Sequence, residues 1–581
     1  MPRSLQGFDR KQFWSVVKDI VSGRGREFRL FKFFEEVWDA LEEASLVIVE
    51  APPGSGKTEA LHAPFLAGLK VNEREWLSLI HVLPMRSLVE NMFMRGCREL
   101  EYLGIKGVIP TVDHGLAAVE PFLEGDIVFT TYDTLFYTMY GYRVRGYHIF
   151  MPLGKLIKSL VVLDEVQLLQ DSYWYPLSVL PSHIGFLLKL NSTVVLTTAT
   201  LPQVLCDSLI DEARRKRVRA RCVVSEERPP RGSLKVNLKR ESLLQVVKEN
   251  LERVEKPLLI VANTVESAVR VYQALRKQGY KPVDYRLVLL HGRLKREVRK
   301  ERETAFERGL NPNIVVATQV VEAGIDYDFR TVITDVAPID SIIQRLGRCA
   351  RLKGGEAYIC SCTKEAAQEA TKYVYPSVII ERSLEKLDES ILSKSLEDVK
   401  VAHGLISDVY TKEIIQKLQQ DNVRKVICSV TKFADWMSSS KGIWELRTMN
   451  DVVRSLLRVS QEVRCLILAY DDYSKLINGV SRGEFKVDWL KPNEVRNLFF
   501  SFSVRGSQTN YDFLIHNING KRMYLALEFR GEEEAYVRCF TDFSGIGREL
   551  ESISSLFLVV NPKFYEYDEG YDIGVVRVRG A

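Results

Sequence analysis

The stretch Ser45–Thr58, with the sequence SLVIVEAPPGSGKT, indicates most directly how this 581-residue chain folds. It opens with an apolar, β-branched run typical of a buried strand and continues through a turn of small residues into a helical pattern. Such a turn lets backbone N–H groups curl around phosphate oxygens, and the dipole of the following helix adds to the attraction. The stretch therefore predicts an α/β fold that carries a phosphate-binding loop.

The loop meets the pattern GxxxxGK[ST] in its relaxed form, because alanine stands at the first position. Lys57 is expected to reach the β- and γ-phosphates, and Thr58 is expected to ligate magnesium. The residues predicted to bind the nucleotide in this loop are Ala51, Pro52, Pro53, Gly54, Ser55, Gly56, Lys57 and Thr58.

Apolar runs of the same kind recur on both sides of a charged stretch. Five lie between Ser45 and Pro202, and five more lie between Pro257 and Thr363, each followed by small or polar residues and then by a helical pattern. Strands that are apolar throughout and alternate with helices predict parallel sheets, which bind ligands at the carboxyl ends of their strands. The intervening stretch Ala213–Ser233 is charged and broken by prolines, and we interpret it as a domain boundary.

Asp164 and Glu165 end another apolar run, in the sequence LVVLDEVQ. Beside a phosphate loop, the aspartate is expected to hold magnesium and the glutamate to polarise the attacking water. The alternative is that this acidic pair only caps the next helix.

The second series of strands ends in QRLGRCAR, which places Arg348 and Arg351 three residues apart and therefore on one face if the segment is helical. Guanidinium groups that face the γ-phosphate across a cleft would act as arginine fingers. Arginines at this spacing are also common on ordinary solvated helices, so the motif has a purely structural alternative.

Taken in chain order, APPGSGKT, LPMRSL, TTYDTL, DEVQ, TTATLP, VANTVESA, LLHGRL, ATQVVEAGIDYDF and QRLGRCAR resemble the motifs of superfamily-two, DEAD/DEAH-like helicases. The resemblance implies an α/β chain with two tandem RecA-like parallel-sheet domains and a C-terminal mixed α+β accessory domain. The expected bounds are 1–215 for an N-terminal segment with the first RecA-like domain, 216–370 for the second and 371–581 for the accessory domain. ATP and Mg²⁺ are the implied cofactors.

The same resemblance assigns roles to individual positions. It implies that Arg86, Thr131, Asp133, Asn263, Thr264 and Thr318 line a nucleic-acid path. It assigns Thr198, Thr200 and Gln319 to coupling between ATP state and domain movement. Gly324, Asp326 and Gln344 are expected beside the nucleotide. Gln167 is expected among the catalytic residues, at the interdomain-coupling position where many helicases have His or Asp. Phe33 and Phe34 occupy the place where an adenine-contacting glutamine is expected, so the preference for ATP is inherited from the family.

A finer resemblance is to the CRISPR-associated helicase of type I interference systems, carried by IVEAPPGSGKTEA, FTTYDTLFYTMY, VVLDEVQLL and VVEAGIDYDFRTVITDVAPIDSIIQRLGRCAR. It implies a translocase on single-stranded DNA that works with an RNA-guided surveillance complex. Only about fifty residues precede the phosphate loop, so we expect a stand-alone helicase whose partner is a separate HD nuclease subunit. The alternatives are another superfamily-two helicase acting on RNA or in DNA repair, and a non-catalytic nucleic-acid clamp.

Composition narrows the classes of protein to which the chain can belong. The chain carries 81 basic and 76 acidic residues, so a nucleic-acid surface has to be a local patch rather than a property of the whole chain. It has no run of eighteen apolar residues, and its N-terminus lacks the apolar segment of a signal peptide. Nine scattered cysteines suit a reducing compartment. We therefore expect a cytoplasmic protein with no membrane span.

Overall fold

The computed structural model describes most of the chain in nineteen ranges. These are residues 10–23, 32–51, 55–114, 123–140, 150–171, 174–198, 201–225, 231–307, 312–322, 327–372, 374–419, 421–437, 462–487, 489–490, 498–503, 511–530, 534–541, 556–568 and 571–575. The chain folds as two compact units. The first comprises Met1–Arg231, Pro338–Ile343 and Tyr375–Val459, and the second comprises Gly232–Ala337, Gln344–Val374 and Ser460–Ala581.

The first unit is built on a seven-stranded parallel sheet. Its strands are β1 (Leu46–Glu50), β2 (Leu79–Leu83), β3 (Pro110–Asp113), β4 (Ile127–Thr131), β5 (Leu160–Leu163), β6 (Thr193–Thr198) and β7 (Ala220–Val224). Their order in the sheet is β3-β4-β2-β5-β6-β1-β7, and every pair is parallel. Because β5, β6 and β1 are neighbours, the polar residues that follow these three strands lie at one edge of the sheet.

Helices cover this sheet, and further helices from a later part of the chain also belong to this unit. Those before residue 232 are α1 (Arg10–Gly23), α2 (Lys32–Glu43), α3 (Lys57–Val71), α4 (Arg86–Leu103), α5 (Tyr132–Met139), α6 (Phe150–Leu156), α7 (Tyr175–Lys189) and α8 (Gln203–Arg215), with a 3₁₀ turn at Val166–Leu169. The main apolar core lies beneath α1–α4 and includes Phe13, Phe33, Trp38 and Trp76, all buried.

The second unit contains a six-stranded sheet that is also parallel throughout. Its strands are β8 (Leu234–Leu238), β9 (Leu258–Val261), β10 (Leu287–Leu290), β11 (Ile314–Ala317), β12 (Thr331–Asp335) and β13 (Gly355–Cys360), in the order β10-β11-β9-β12-β13-β8. The accompanying helices are α9 (Leu243–Asn250), α10 (Val265–Lys277), α11 (Arg296–Glu307) and α13 (Lys364–Thr371), with 3₁₀ turns at Val283–Tyr285 and Gln319–Val321. Helix α12 (Ile339–Leu346) is divided between the units, because its residues up to Ile343 belong to the first and those from Gln344 belong to the second. The two parallel sheets confirm the predicted pair of RecA-like folds.

A mixed sheet completes the second unit. Its strands are β14 (Glu462–Leu466), β15 (Lys486–Val487), β16 (Phe499–Ser503), β17 (Ile515–Ile518), β18 (Lys521–Arg530), β19 (Glu534–Phe540) and β20 (Leu556–Val559). The strand order is β15-β19-β18-β20-β14-β16, β17 pairs with β18, and only the contact of β14 with β20 is parallel. This sheet confirms the predicted mixed α+β character of the C-terminal part.

The last described residues form a hairpin against the second parallel sheet. Strands β21 (Tyr565–Asp568) and β22 (Tyr571–Val575) pair with each other, and the buried Ile573 belongs to the same apolar core as β9, β10 and β11. His291 Nε2 lies 2.7 Å from the carbonyl oxygen of Ile573. Gly574 has a φ of 95°, and a Cβ there would lie 2.5 Å from His291, so this position requires glycine.

The residues after 371, which we predicted as one accessory domain, are divided between the two units. Five helices belong to the first unit, namely α14 (Ser377–Glu385), α15 (Glu389–Ser395), α16 (Val399–Val409), α17 (Lys412–Leu418) and α18 (Asp421–Met437). The mixed sheet, with α19 (Tyr470–Ser481) and 3₁₀ turns at Asp512–Leu514 and Pro562–Phe564, belongs to the second. In addition, β7 pairs with β1 although it follows the expected boundary at residue 215.

Candidate nucleotide-binding site

The phosphate loop leaves the buried strand β1 and enters α3 at Gly56. Gly56 has a φ of 84°, a left-handed conformation that suits glycine, and a Cβ there would lie 2.8 Å from the ring of Phe34. Ser55 is buried, while Lys57 and Thr58 are each only 9% exposed in the first turn of α3. Pro52, Pro53 and Gly54 lie outside the described residues.

Lys57 is held close to the carboxylates that follow β5. Its Nζ donates to the carbonyl of Ala51 at 3.0 Å and lies 3.9 Å from Glu165 Oε1. The amide of Ala51 in turn donates to the carbonyl of Thr198 at 3.1 Å, which joins the start of the loop to the end of β6. The structure thus brings together the lysine and the glutamate that the sequence placed in one catalytic set.

Asp164 is buried at the end of β5 and is surrounded by donors. Its Oδ1 accepts from the hydroxyl of Thr197 and from the amide of Glu165, and its Oδ2 lies 3.3 Å from His81 Nε2. Burial alone would raise the pKa of the Asp164 carboxyl, but the His81 hydrogen bond, the Lys57 ammonium and the Thr197 hydroxyl together hold it well below its ordinary value. Asp164 is therefore ionised at neutral pH.

His81 and Thr197 are partners of Asp164 that the sequence analysis missed. Burial lowers the pKa of His81, even though its hydrogen bond to Asp164 opposes the shift. The imidazole is therefore largely neutral and acts on Asp164 mainly as a hydrogen-bond donor. In sequence, a histidine inside the apolar run LIHVL has the appearance of a core residue, and only its side-chain contact with Asp164 distinguishes it.

Gln167 connects the glutamate to the next strand. Its Nε2 donates to Glu165 Oε2, and its Oε1 accepts from the Thr198 hydroxyl at 2.7 Å. Glu165 itself has a φ of 52° and starts the 3₁₀ turn at Val166–Leu169. Gln167, predicted as a catalytic residue, and Thr198, predicted to act in coupling, are therefore in direct contact, whereas Thr200 lies outside the described residues.

The donor set at this edge of the sheet fits a magnesium ion. Asp164 supplies an ionised carboxylate, and Thr58 supplies a hydroxyl from the first turn of α3. Hard oxygen donors of this kind, few in number and supplemented by phosphate oxygens, are the ligands that Mg²⁺ takes in nucleotide sites. The residues present therefore fit the ion that the phosphate loop implies.

Three residues predicted to contact nucleic acid lie at other strand ends of the same sheet. Arg86 is the first residue of α4 and is half-buried. Thr131 ends β4 and caps α5, where its hydroxyl oxygen accepts from the amide of Thr134 at 3.3 Å. Asp133 is half-buried in the first turn of α5. All three follow β2 or β4, on one side of the phosphate loop.

In the second unit, Asn263 lies in the interior. It is 3% exposed, its Nδ2 donates to the carbonyl of Val336 at 2.7 Å, and its Oδ1 accepts from both terminal nitrogens of Arg345 at 3.1 Å. Its Nδ2 also lies 3.2 Å from the carbonyl of Ala370, so both ends of the amide have partners within the unit. The contact of Asn263 with nucleic acid stays a prediction.

The remaining predicted residues of this unit surround Asn263. Thr264 caps α10 and accepts from the amide of Ser267 at 3.1 Å, and the buried Thr318 precedes the turn at Gln319–Val321. Gln319 Nε2 donates to the carbonyl of Asn263 at 2.9 Å. Gly324 and Asp326 lie outside the described residues.

The arginine motif departs from the helical arrangement that we considered. Helix α12 ends at Leu346, and Ala350 has a φ of 55°, so Arg348 and Arg351 follow the helix in a turned segment. Arg348 donates to the carbonyl of Glu322, and Arg351 Nε lies 3.2 Å from the carbonyl of Gly347. Gln344 is half-buried on α12.

Arg345, which the sequence analysis did not select, is the buried arginine of this motif. It is 0% exposed, and its Nε donates to Glu322 Oε1 at 2.7 Å. Its NH1 also donates to Thr334 Oγ1 at 2.9 Å. These contacts and those to Asn263 fix the end of α12 to β12 and to the segment after β11.

Comparison with known proteins identifies the class of this site. The model of the DEAD/DEAH box helicase family matches residues 33–208, and the model described as "CRISPR-associated nuclease/helicase Cas3, C-terminal" matches residues 255–354. The chain therefore contains a DEAD/DEAH box helicase domain and resembles Cas3. Such a domain makes it an ATP-dependent enzyme. The two matches fall on the two parallel sheets.

Individual relatives agree with this assignment. The CRISPR-associated helicase Cas3 of Thermoproteus tenax is 27% identical over 80% of this chain and 82% of its own length. The CRISPR-associated nuclease/helicase Cas3 of Methanothermobacter thermautotrophicus is 25% identical over 67% of this chain, which spans about half (49%) of that relative. The crystal structure of T. fusca Cas3 with ADP is 19% identical, covers 77% of this chain and 60% of its own, and has a TM-score of 0.57.

No helix in the described ranges combines the length and the apolar character that crossing a membrane requires.

Proposed function

We propose that this chain is the helicase subunit of a type I CRISPR interference system, which hydrolyses ATP to move along single-stranded DNA. In this proposal, it unwinds target DNA next to an RNA-guided surveillance complex and supplies the displaced strand to a separate HD nuclease subunit. The observation that carries the ATPase part is that Lys57, which follows β1, lies beside Asp164 and Glu165, which follow β5, with only β6 between the two strands.

Each of these residues has a defined task in phosphoryl transfer. Lys57 would bind the β- and γ-phosphates, and Glu165 would orient the attacking water. Thr58 and Asp164 would hold Mg²⁺, which neutralises charge on the phosphate oxygens. Because phosphoryl transfer needs little covalent chemistry from the protein, the protein acts mainly by positioning the reacting groups and by stabilising their charge. The burial of Asp164 restricts its movement and strengthens its electrostatic interactions.

Gln167 would transmit a movement of Glu165 to the rest of the first unit. It bonds Glu165 through its amide nitrogen and Thr198 through its amide oxygen, so a shift of the glutamate displaces the end of β6. Arg348 and Arg351 remain our proposed arginine fingers, with Gln344, Gly324 and Asp326 beside the nucleotide. This network also speaks against a non-catalytic clamp, which would have no use for a glutamate held in this way.

The relatives support the choice of DNA and of CRISPR interference. The Thermoproteus protein is named as a helicase alone and aligns over most of its length, whereas the Methanothermobacter protein is named as a nuclease/helicase and aligns over about half. A solved structure titled "CRISPR RNA-guided surveillance complex, pre-nicking" shares the fold, with a TM-score of 0.53. Structures of the helicase MrfA bound to DNA share it too, with a TM-score of 0.55 at 13% identity.

The first experiment measures ATP hydrolysis by the purified chain with single-stranded DNA, single-stranded RNA or no nucleic acid. We expect stimulation by DNA, loss of hydrolysis in Lys57→Ala, and no change in Lys70→Ala. Lys70 is a matched control because it lies on the same helix but pairs with Asp19 at 3.2 Å on the surface. Stimulation by RNA alone would support the alternative of an RNA helicase, and no hydrolysis under any condition would contradict the proposal.

A second experiment addresses the partners. The chain is mixed with a candidate HD nuclease, a surveillance complex and R-loop DNA, and degradation of the displaced strand is followed with and without ATP. We expect degradation only when both proteins and ATP are present, and Glu165→Gln should bind ATP while stalling degradation. Equal degradation by the Glu165→Gln variant would support a clamp that needs no turnover.

A further inference from the structure

A buried chain of hydrogen-bonding side chains runs from Asp164 into the interior of the first unit. His81 Nε2 lies 3.3 Å from Asp164 Oδ2, His62 Nε2 lies 2.7 Å from His81 Nδ1, and His62 Nδ1 lies 2.8 Å from Glu99 Oε2. His81, His62 and Glu99 are each at most 1% exposed. None of these three residues belongs to the helicase motifs described above.

The far end of this chain returns to the helix that follows the phosphate loop. Arg95 Nε donates to Glu99 Oε1 at 3.1 Å, and a terminal nitrogen of Arg95 lies 2.8 Å from Glu59 Oε2. Glu59 is in the first turn of α3, directly after Thr58. The chain therefore connects the end of β5 to the start of α3 through β2 and α4, and it ties together the two elements that carry the predicted magnesium ligands.

The contacts define which atoms donate. Glu99 accepts from Arg95, and Asp164 accepts from Thr197 and from the amide of Glu165, so the carboxylates are the acceptors at both ends. His62 Nδ1 and His81 Nε2 must then donate toward them. Because a neutral His81 that donates from Nε2 can only accept at Nδ1, the contact between the two rings is a hydrogen bond from His62 Nε2 to His81 Nδ1. His81 is thereby held with its Nε2–H directed at Asp164.

This donor limits how the Asp164 carboxylate can turn. A carboxylate offers about four lone-pair positions, two on each oxygen. The Thr197 hydroxyl and the Glu165 amide use those of Oδ1, and His81 uses one on Oδ2. The position that remains is on Oδ2, and its direction is set because all three donors belong to buried or backbone groups.

We propose that His81, held by His62 and Glu99, is a positioning residue that fixes the Asp164 carboxylate for binding magnesium with the nucleotide. The proposal rests on the ATPase function proposed above. Replacing buried, paired polar side chains with apolar ones of similar volume is often neutral for stability. Stability alone therefore gives little reason for the polar side chains of His81, His62, Glu99 and Arg95 at these positions. Partners of metal ligands typically change metal affinity or activity 10- to 100-fold when they are lost.

The test compares His81→Leu, His81→Gln and the control His183→Gln in the purified full chain. His183 is a matched control because it is fully buried in the same unit and bonds Tyr140 through Nδ1 at 2.9 Å. The first readout is binding of Mn²⁺ with ADP, followed by electron paramagnetic resonance. The second is ATPase rate against free Mg²⁺ at saturating ATP, and thermal unfolding checks that each variant is folded.

For His81→Leu we expect affinity for Mn²⁺ in the presence of ADP to fall about tenfold or more, with the half-saturating Mg²⁺ concentration rising by a similar factor. ADP affinity without metal should stay unchanged. His81→Gln should recover part of the loss, since its amide can donate toward Asp164, and His183→Gln should match the unsubstituted chain. Mn²⁺ binding by His81→Leu that equals that of His183→Gln would overturn the proposal.

A second variant covers the case in which His81→Leu does not fold. Glu99→Gln keeps the shape of the side chain but replaces the acceptor of His62 with a group that can also donate, and we expect a smaller loss of Mn²⁺ affinity in the same direction. Unchanged affinity in that folded variant would likewise contradict the proposal. If the unsubstituted chain binds Mn²⁺ with ADP but hydrolyses no ATP, the proposed function fails while the positioning role can still be judged from binding.

Discussion

Thr198 donates its hydroxyl hydrogen to Gln167 Oε1 across 2.7 Å, and both side chains are buried. Because Gln167 Nε2 donates to Glu165, the two residues form one hydrogen-bonded line from the end of β6 to the proposed catalytic glutamate. An amide can serve both contacts at once, since it has a donor and an acceptor and does not change charge near neutral pH. A glutamine at this position can therefore connect Thr198 with Glu165.

Thr198→Val should remove the hydrogen bond to Gln167, while the valine keeps the shape of the threonine side chain. We expect the DNA-stimulated ATPase rate to fall about tenfold and unwinding to fall further, because Gln167 loses the partner that orients it. The loss of one buried hydrogen bond should cost about 1 kcal/mol of stability. Strand-displacement and ATPase assays on the same preparation measure the two effects.

Thr193→Val is the matched control for that variant. Thr193 is the first residue of the same strand, at the end opposite to Thr198, and its hydroxyl oxygen accepts from Trp76 Nε1 at 2.7 Å. Its loss should reduce stability by a similar amount without changing hydrolysis. Equal ATPase defects in the two threonine variants would show that the effect of Thr198 is one of general stability.

Gly56→Ala should weaken nucleotide binding more than tenfold. The new Cβ would meet the ring of Phe34 at 2.8 Å in a left-handed backbone conformation, so the loop has to move. Gly104→Ala tests the backbone effect alone, because Gly104 also has a positive φ, 65°, but nothing lies within 4 Å of its added Cβ. Fluorescent ADP binding should fall more than tenfold in the first variant and stay unchanged in the second.

Tyr410→Phe should destabilise the first unit. The Tyr410 hydroxyl accepts from Gln170 Nε2 at 2.6 Å and donates to Asp340 Oδ1 at 2.7 Å, and all of this is within one unit. The substitution removes the hydroxyl that donates to the buried Asp340 carboxylate, which should lower the free energy of unfolding by about 1–3 kcal/mol. Thermal unfolding measures the change, with the more exposed Tyr102→Phe as the control.

Acid should destabilise the second unit through His291. Burial, helped by the charges of Arg293 and Arg302, lowers the pKa of His291 from 6.5 to about 3. The unfolded chain therefore binds a proton that the folded chain excludes, so stability from this group is complete above pH 6.5 and falls as the pH drops toward 3. The slope reaches at most about 1.4 kcal/mol per pH unit.

The His291→Gln variant isolates this contribution. Unfolding midpoints of the variant and the unsubstituted chain should converge as the pH falls from 7 to 4, since glutamine does not titrate. His516, whose pKa burial lowers to about 4, keeps part of the acid sensitivity in both. Parallel midpoint curves across this range would contradict the assignment.

Strands in the interior of the two parallel sheets could be predicted because burial on both faces leaves continuous apolar runs. The edge strand β7 was interpreted as part of a boundary, since four of its five residues are at least partly exposed and its sequence, ARCVV, follows a basic stretch. The separation of residues 377–437 from the mixed sheet depends on packing against α7 and on the pairing of β14 with β20, about ninety residues apart. No local pattern records such pairings.

At the site, residues next to a phosphate loop were predictable because their chemistry fixes their spacing. His81 and Arg345 were not, since each is a polar residue inside an apolar or helical pattern and its meaning depends on a partner distant in sequence. For Asn263, the motif position predicts a nucleic-acid contact but gives no indication that Val336 and Arg345 bond its amide, because both partners are distant in sequence.

The hairpin of β21 and β22 gives the second unit an unusual order of assembly on the ribosome. Its strands shield His291, and Arg302 donates to the carbonyl of Asp572 at 2.7 Å, yet these residues are made about two hundred positions after β13. At synthesis rates of about 5–20 residues per second, the parallel sheet waits roughly 10–40 s for its last partner. A nascent chain arrested between these points should therefore be open to proteases and attractive to chaperones, and release of the final hairpin should end that exposure.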